Sequence, residues 1–318
     1  MSHIIRSKGE KGRGAHSGRK DIWRRMKKNY VLYLLLLPAV IYIILFHYAP
    51  MYGIQMAFRD YIPAKGMWGS NWVGLKHFFN FFHSYYFGRL MKNTLLLSFY
   101  QLLAGFPVPI LLALVFNYTT LKKLGKFGQT ITFMPHFIST VVLVGMLYVF
   151  LGTSGIVNQI IKLLGGVEVA FWGEADFFRH IYVWSDVWQN MGWNAVIYIT
   201  ALAGVSPELH EAAIVDGATK MQRIIHVDFP ALLPTMVTLL ILNTGSVLNV
   251  GFEKAYLMQN DINVTVSEII STYVYKTGLI GAQFSYSTAI GLFNNAINFI
   301  LLLIVNKASK KVSGTGLW

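Results

Sequence analysis

The sequence predicts an all-α integral membrane protein with six transmembrane helices, and three observations lead to that prediction. Of its 318 residues, 54% are hydrophobic and 13% are charged, whereas soluble domains carry about 25% charged residues. A soluble or disordered chain is excluded, since the first would have to bury almost all of its surface and the second needs low hydrophobicity. Six apolar stretches can each cross about 30 Å of hydrocarbon, and the weak strand-like alternation argues against a β-barrel.

The six predicted spans follow from apolar runs that are separated by polar or basic segments, and together they form one transmembrane domain. They lie near residues 30–48, 93–116, 131–151, 181–204, 231–250 and 286–306, so the domain covers residues 30–306. The first run follows a long basic segment and ends in a poor signal-peptidase site. It is therefore interpreted as a retained signal-anchor helix.

The distribution of Lys and Arg predicts which segments face the cytoplasm. Of the 27 basic residues, most fall in four segments that alternate with the spans: 1–29, 117–130, 205–230 and 307–318. The positive-inside rule makes these segments cytoplasmic. Residues 1–29 are then a basic cytoplasmic N-terminal tail and residues 307–318 a cytoplasmic C-terminal tail. The N-terminal tail is interpreted as a topology signal and a lipid-surface patch, and no nucleic-acid partner is expected.

The sequence contains no motif of an enzyme or of an ion-coupled carrier. It has no phosphate-binding loop, because Lys126 is followed by Phe127 rather than by Ser or Thr. His210-Glu211 lacks the second histidine of a zinc-protease motif, and there are no cysteines. The paired intramembrane carboxylates typical of proton-coupled carriers are also missing. We expect a transport subunit with no catalytic residue, metal or cofactor of its own, driven by another subunit.

The cytoplasmic segment 205–230 carries the signals of two short helices. Ser206 and Pro207 suit the start of the first helix, and Gly217 can take the left-handed conformation that ends it. A second short helix would run from about 219 to 228, before Pro230 opens the fifth span. Small residues on one face of the first helix would fit the groove of another protein. Contact with lipid headgroups alone explains that face equally well.

This segment resembles the EAA loop of bacterial ABC importer permeases, whose pattern is E-A-A-x3-G-x9-I-x-L-P. The matching residues are Glu211, Ala212, Ala213, Gly217 and Pro230, while Val227 and Phe229 replace the Ile and Leu of the pattern with other apolar residues. Asp216, with Gly217 and Ala218, is similar to the D-G-A of sugar permeases. The resemblance implies that Glu211, Ala212, Ala213, Asp216, Gly217 and Pro230 couple the chain to an ATPase.

The resemblance extends over most of the chain. Asn93-Thr94-Leu95 opens the second span as in this superfamily, and the runs 248–256 and 285–293 look like the subgroup that imports polysaccharide fragments and complex oligosaccharides. The resemblance implies a multi-pass subunit of the bacterial cytoplasmic membrane that forms the sugar pathway with a second, homologous permease. An extracytoplasmic solute-binding protein would deliver sugar, and two copies of a cytosolic ATPase would bind ATP and Mg and dock on the loop. An importer of another small solute and a stand-alone secondary carrier remain the alternatives.

Polar residues in spans four to six predict a substrate pathway. The candidates are Asn190, Trp193, Asn194, Asn243, Asn294 and Asn298. Most of them fall near mid-depth, where an unpaired amide facing lipid is costly. Interhelical hydrogen bonding explains each one singly, but the shared depth favours a wet cavity for the group. Neutral amides beside tryptophan suit uncharged, hydroxyl-rich ligands. A uronate would need Lys or Arg, which these polar positions lack and which the partner subunit could supply.

Overall fold

The computed structural model describes residues 27–314 and residue 316, and the regular structure of this part is almost entirely helical. The predicted basic tail 1–29 lies outside the described residues except for its last three. Two short strands, β1 (Arg59–Asp60) and β2 (Asn71–Trp72), pair antiparallel, with Arg59 opposite Trp72.

The helices are numbered here in chain order. They are α1 (Tyr30–Phe58), α2 (Lys76–Phe82), α3 (Phe87–Tyr118), α4 (Lys122–Phe133), α5 (Thr140–Phe150), α6 (Ile156–Leu163), α7 (Phe177–Ala203), α8 (Pro207–Val215), α9 (Lys220–Gly245), α10 (Phe252–Met258), α11 (Ile270–Tyr275) and α12 (Phe284–Ser313). Single helical turns occur at Pro63–Lys65, Gly66–Gly69, Met134–Phe137 and Val264–Ser267.

Four helices of the described chain are long and apolar enough to cross a membrane, namely α1, α3, α9 and α12. A fifth candidate is the pair formed by α4, with the turn that follows it, and α5, which are bent by 102° at the break between them. With 27 residues, α7 reaches about 40 Å at 1.5 Å per residue. It contains too many polar residues to count among the helices that are apolar enough to cross a membrane. Four or five helices therefore qualify, against the six spans predicted.

The predicted third span, near 131–151, is not a single helix, because the chain turns between α4 and α5. Pro135 lies in the intervening 3-10 turn, and Ser139 caps α5 by accepting a 3.4 Å hydrogen bond from a backbone N–H. At the break, the carbonyl of Ile138 accepts a 2.7 Å hydrogen bond from the side-chain amide of Gln189 in α7. Such a break is tolerated at membrane depth when a neighbouring helix satisfies the freed backbone group.

The predicted fifth and sixth spans also differ from the helices at their ends. The fifth, near 231–250, stops at Gly245, and the following residues form turns. The sixth, near 286–306, continues to Ser313, so the predicted C-terminal tail 307–318 begins inside α12. Lys residues in the last turn of α12 favour this extension, because cations stabilise the C-terminal end of a helix dipole.

The chain forms two compact units, one ending at Ile54 and the other beginning at Gln55. In the first unit, none of the most apolar stretch of α1 is buried, so lipid or another protein must cover it. In the second unit, α7 is central and packs against α3, α4 and α9. Its residues Phe178, Tyr182 and Val183 are almost completely buried, and this packing positions the polar side of α7.

Candidate coupling helix and polar cavity

The short helix α8 has the C-terminal end that the sequence predicts. Gly217 has a φ of +79°, which costs glycine little and other residues more. The N–H of Ala218 donates to the carbonyl of Ala213 at 2.8 Å, and the N–H of Gly217 donates to that of Ile214 at 3.0 Å. These two bonds form a Schellman motif. At the other end, Ser206 occupies the N-cap position in an extended conformation, as predicted, but its side chain accepts no capping hydrogen bond.

The residues that match the EAA pattern are largely accessible. Glu211, Ala212, Asp216, Gly217 and Pro230 are exposed, and Ala213 is half-buried. No ion pair or hydrogen bond joins the Glu211 carboxylate to another described residue. Large apolar side chains of the same loop are exposed as well, and they are Leu209, Ile214, Val215, Met221 and Ile225. Exposed apolar residues clustered in this way are typical of a surface that binds another molecule.

The predicted second short helix is not separate from the fifth span. Thr219 caps α9 in a capping box with Gln222, in which the Thr219 N–H donates to Oε1 of Gln222 at 2.7 Å. The helix then runs without interruption through a π turn, Ile224–Asp228, to Gly245. Pro230 follows the π turn instead of opening a new helix. A proline has no N–H and crowds the preceding turn, and a π turn is a common way to relieve such crowding.

A buried carboxylate joins α8 to the ends of two other helices. Asp228 is fully buried, and its Oδ2 accepts a 2.6 Å hydrogen bond from the hydroxyl of Tyr118 at the end of α3. Its Oδ1 lies 3.3 Å from Nε2 of His210 in α8. The Arg223 guanidinium stands 5.6 Å from the centre of the Tyr118 ring. Sequence reasoning missed this cluster, because Asp228 falls at an unspecified position of the EAA pattern.

A polar cavity of about 220 Å³ lies among α3, α7 and α9 and the turns after α9. Two predicted pathway residues, Asn194 of α7 and Asn243 of α9, line it together. Other polar residues of its wall are Ser98, Gln101, Asp186, Ser246 and Asn249. The cavity thus presents mainly amides and hydroxyls, with one carboxylate. Gln101 and Asn249 were missed from the sequence, although Gln101 is a visible polar residue within an apolar run.

A neighbouring cavity of about 410 Å³ shares Gln101, Asp186 and Gly251 with the first. It is lined by another predicted pathway residue, Asn190, whose Oδ1 accepts a 2.9 Å hydrogen bond from Nδ1 of His136. The remaining polar and charged lining comprises Ser139, Thr140, Tyr182, Gln189, Glu253 and Lys254. The two cavities together form a polar zone beside α7.

The carboxylate of Asp186 accepts hydrogen bonds and pairs with a cation in this zone. Gln101 donates to its Oδ2 at 2.9 Å and Asn190 to its Oδ1 at 3.2 Å. The ammonium of Lys254 is 3.8 Å from Oδ1 and donates to the carbonyl of Tyr182 at 2.9 Å. Burial lowers the pKa of Lys254 to about 8, and Asp186 opposes that shift. Sequence reasoning missed Lys254 as a cation beside the predicted polar residues, because it reaches α7 from the loop after the fifth span.

The other three predicted pathway residues make specific packing contacts. Asn294 and Asn298 of α12 are buried and donate to Oδ1 of Asn249 at 3.0 and 3.2 Å. Oδ1 of Asn298 also accepts a 3.0 Å hydrogen bond from the N–H of Leu248, which supports the turn after α9. Trp193 stacks on the ring of His136, with centroids 4.3 Å apart. These residues thus contact Asn249 and His136, which line the two cavities of the polar zone.

Similar proteins have been described among bacterial transporters. The polygalacturonan/rhamnogalacturonan transport system permease protein YteP of Bacillus subtilis (strain 168) is 42% identical over 301 residues, which cover 94% of each chain. Protein LplB of the same organism is 41% identical and covers 92% of each chain. The arabinooligosaccharides transport system permease protein AraP of that organism is 27% identical over 94% of this chain.

Solved structures agree with the sequence comparison. A crystal structure of a bacterial ABC transporter involved in the import of the acidic polysaccharide alginate contains a chain with a TM-score of 0.86 and 38% identity, covering 92% of this chain and 99% of that one. A second crystal structure shows a bacterial alginate ABC transporter in complex with an alginate pentasaccharide-bound periplasmic protein. One of its chains has a TM-score of 0.86 and 39% identity, and the match covers 93% of this chain and 99% of that one. Residues 180–314 match the model of the binding-protein-dependent transport system inner membrane component. The chain therefore belongs to the family of these inner membrane components, the permease subunits of ABC importers.

Proposed function

We propose that the chain is a permease subunit for the uptake of oligosaccharides or polysaccharide fragments. The observation that carries the proposal is the polar cavity in which Asn194 and Asn243 face one space with Gln101 and Asn249. Amide groups both donate and accept, and so they suit the hydroxyls of a sugar. The relatives named for polygalacturonan/rhamnogalacturonan and for arabinooligosaccharides, and the alginate importer, support a sugar chain as substrate.

The proposed topology has six spans, with both termini in the cytoplasm of a bacterial cell. It counts the bent pair α4–α5 as the third span and α7 as the fourth, and α7 is long enough although it is polar. Basic residues support the orientation, since Lys123, Lys126, Lys220, Arg223 and Lys307 all fall on segments assigned to the cytoplasmic side. This orientation puts α8 on the cytosolic face.

The proposed assembly contains a second, homologous permease, an extracytoplasmic solute-binding protein and two copies of a cytosolic ATPase. The ATPase would bind ATP and Mg, and it would dock on α8 through the exposed residues Glu211, Ala212, Asp216 and Gly217, with Ala213 behind them. The apolar side chains exposed in the same loop support such a contact. Lipid would cover the apolar helices on the outside of the assembly.

The function is tested by purifying the chain with its partners and measuring uptake in proteoliposomes. Mass spectrometry of the co-purified proteins identifies the ATPase, the second permease and the binding protein. Oligogalacturonides and neutral oligosaccharides of matched length are then offered with the binding protein. ATP-dependent uptake of either class supports the proposal. Uptake of amino acids or phosphate esters alone, or uptake driven by an ion gradient without ATP, would support one of the alternatives.

Glu211→Gln is expected to lower uptake and substrate-stimulated ATP hydrolysis together. Only Glu208 lies in the first turn of α8, where the helix dipole favours an anion, and that effect fades beyond the first turn. The exposed Glu211 carboxylate is therefore available to a Lys or Arg of the docked ATPase, and loss of one member of a desolvated pair costs about 2–5 kcal/mol. Glu208→Gln is the matched control. Normal uptake and an intact ATPase pull-down in Glu211→Gln would mean that Glu211 makes no such contact.

Gly217→Val is expected to insert into the membrane normally but to bind the ATPase weakly. A β-branched residue in a left-handed conformation costs about 1–2 kcal/mol, and it would disturb the Schellman turn. An added Cβ meets no atom within 4 Å, so the effect comes from the backbone and not from a clash. Gly217→Asn, which tolerates positive φ, is the control and should retain binding. Equal ATPase recovery for Val and Asn would show that the turn does not matter for docking.

A further inference from the structure

Asp228 is a buried carboxylate for which the proposed transport function gives no role. It is 0% exposed and ends the π turn Ile224–Asp228 of α9. Its Oδ2 accepts the 2.6 Å hydrogen bond from Tyr118, whereas Oδ1 accepts no hydrogen bond and lies 3.3 Å from Nε2 of His210. One side chain thus contacts α3 and α8 while belonging to α9.

A carboxylate at such a position is costly unless a charge and hydrogen bonds compensate for its desolvation. Tyr118 supplies a hydrogen bond to Oδ2, and the His210 ring faces Oδ1 at 3.3 Å. The Arg223 guanidinium, one turn earlier in α9, places a positive charge over the Tyr118 ring. Separating α8 from the ends of α3 and α9 would take His210 away from Oδ1 and leave that buried oxygen facing no polar partner among the described residues. The cluster therefore opposes independent movement of α8.

We propose that Asp228 is a positioning residue that ties α8 to the inner ends of α3 and α9 through His210 and Tyr118. The inference rests on the proposed role of α8 as the contact for the ATPase. Both tied helices reach the polar cavity, since Gln101 of α3 and Asn243 of α9 line it. A displacement of α8 by the ATPase is thus passed to two walls of that cavity.

The test uses the complete reconstituted complex and the ratio of sugar imported to ATP hydrolysed. Asp228→Asn and His210→Gln are each expected to lower this ratio about tenfold, because each removes one side of the contact between the buried carboxylate and the His210 ring. The double variant should fall no further, because both changes break one interaction. His226→Gln is the matched control, since the ring of His226 in the same π turn bonds the carbonyl of Gln222 instead. His210→Lys places an ammonium group beside the carboxylate and should recover most of the coupling.

A second measurement follows the contact between α8 and Asp228 directly and does not depend on transport. The native chain has no cysteine, so a spin label at Leu209→Cys reports on α8 alone. We expect faster label motion in Asp228→Asn and His210→Gln than in the wild type. Additive losses in the double variant, or unchanged label motion in both single variants, would overturn the inference. If Asp228→Asn fails to fold, His210→Gln gives both readouts. A wild-type complex that imports no sugar refutes the proposed function but leaves the label result valid.

Discussion

Gly192→Ala is expected to destabilise the protein strongly, because α7 and α4 touch backbone to backbone at this residue. A Cβ added at Gly192 would lie 2.1 Å from the carbonyl oxygen of Thr132 and 2.7 Å from the N–H nitrogen of Phe133. Neither atom can rotate away as a side chain could, so the two helices must separate. Overpacking of this kind costs about 1–3 kcal/mol, and sometimes more. The separation would also loosen the bent pair that Gln189 supports at Ile138.

The measurement for Gly192→Ala is the temperature at which the detergent-purified protein loses its monodisperse peak. Gly145→Ala in α5 is the matched control, because a Cβ there meets no atom within 4 Å. We expect a clear drop for Gly192→Ala and no change for Gly145→Ala. Equal midpoints for the two variants would contradict the close contact between α7 and α4.

Asn298→Leu is expected to lower stability, whereas Asn243→Leu should lower substrate-dependent transport and leave stability unchanged. Leucine at 298 removes the acceptor of the Leu248 N–H and one donor to Asn249. A buried donor left without a partner costs about 1–3 kcal/mol. Asn243 is exposed to the cavity, so its replacement breaks no such bond. It does remove an amide that a sugar hydroxyl could meet.

The two asparagine variants are compared by thermal stability and by uptake at several sugar concentrations. A stable Asn298→Leu protein with a selective loss of sugar uptake would make Asn298 a pathway residue, as the sequence predicts, and not a brace. A destabilised Asn243→Leu protein would equally contradict the position of the Asn243 side chain in the cavity wall without a hydrogen-bonding partner among the described residues. The pair therefore separates the two explanations that the sequence leaves open for intramembrane amides.

The parts of the structure that follow local rules could be predicted from the sequence. The end of α8 at Gly217 is one of them, because only a residue that tolerates a φ of +79° suits that turn. The apolar runs of α3, α9 and α12 are another, since the bilayer requires long apolar helices. The family resemblance also rested on local spacing, and the similar proteins confirm it.

The parts that depend on distant side chains could not be predicted. The bend at Ile138 is stabilised by Gln189, which is far away in sequence, so the run 131–151 reads as one uninterrupted span. The end of α9 depends on Asn298 of α12 in the same way. Lys254 reaches Asp186 from a different segment, and no periodicity within either helix reveals their contact. The coupling and pathway roles of the predicted residues stay predictions.

The polarity of α7 has a consequence for the biogenesis of the protein. In the proposed topology this helix must enter the bilayer with Asp186 among several amides. An Asp at the very centre of a span costs about 2.5–3.5 kcal/mol on insertion scales, and Asp186 lies about one turn from the middle of α7. Asn190 of the same helix is one compensating donor, and the others are Gln101, which is synthesised earlier, and Lys254, which is synthesised much later. We therefore expect α7 to leave the translocon with α3 and not by itself, and to settle only after α10 has emerged from the ribosome. The helix that lines the polar zone with Asp186, Asn190 and Asn194 is thus the one whose insertion depends most on the rest of the chain.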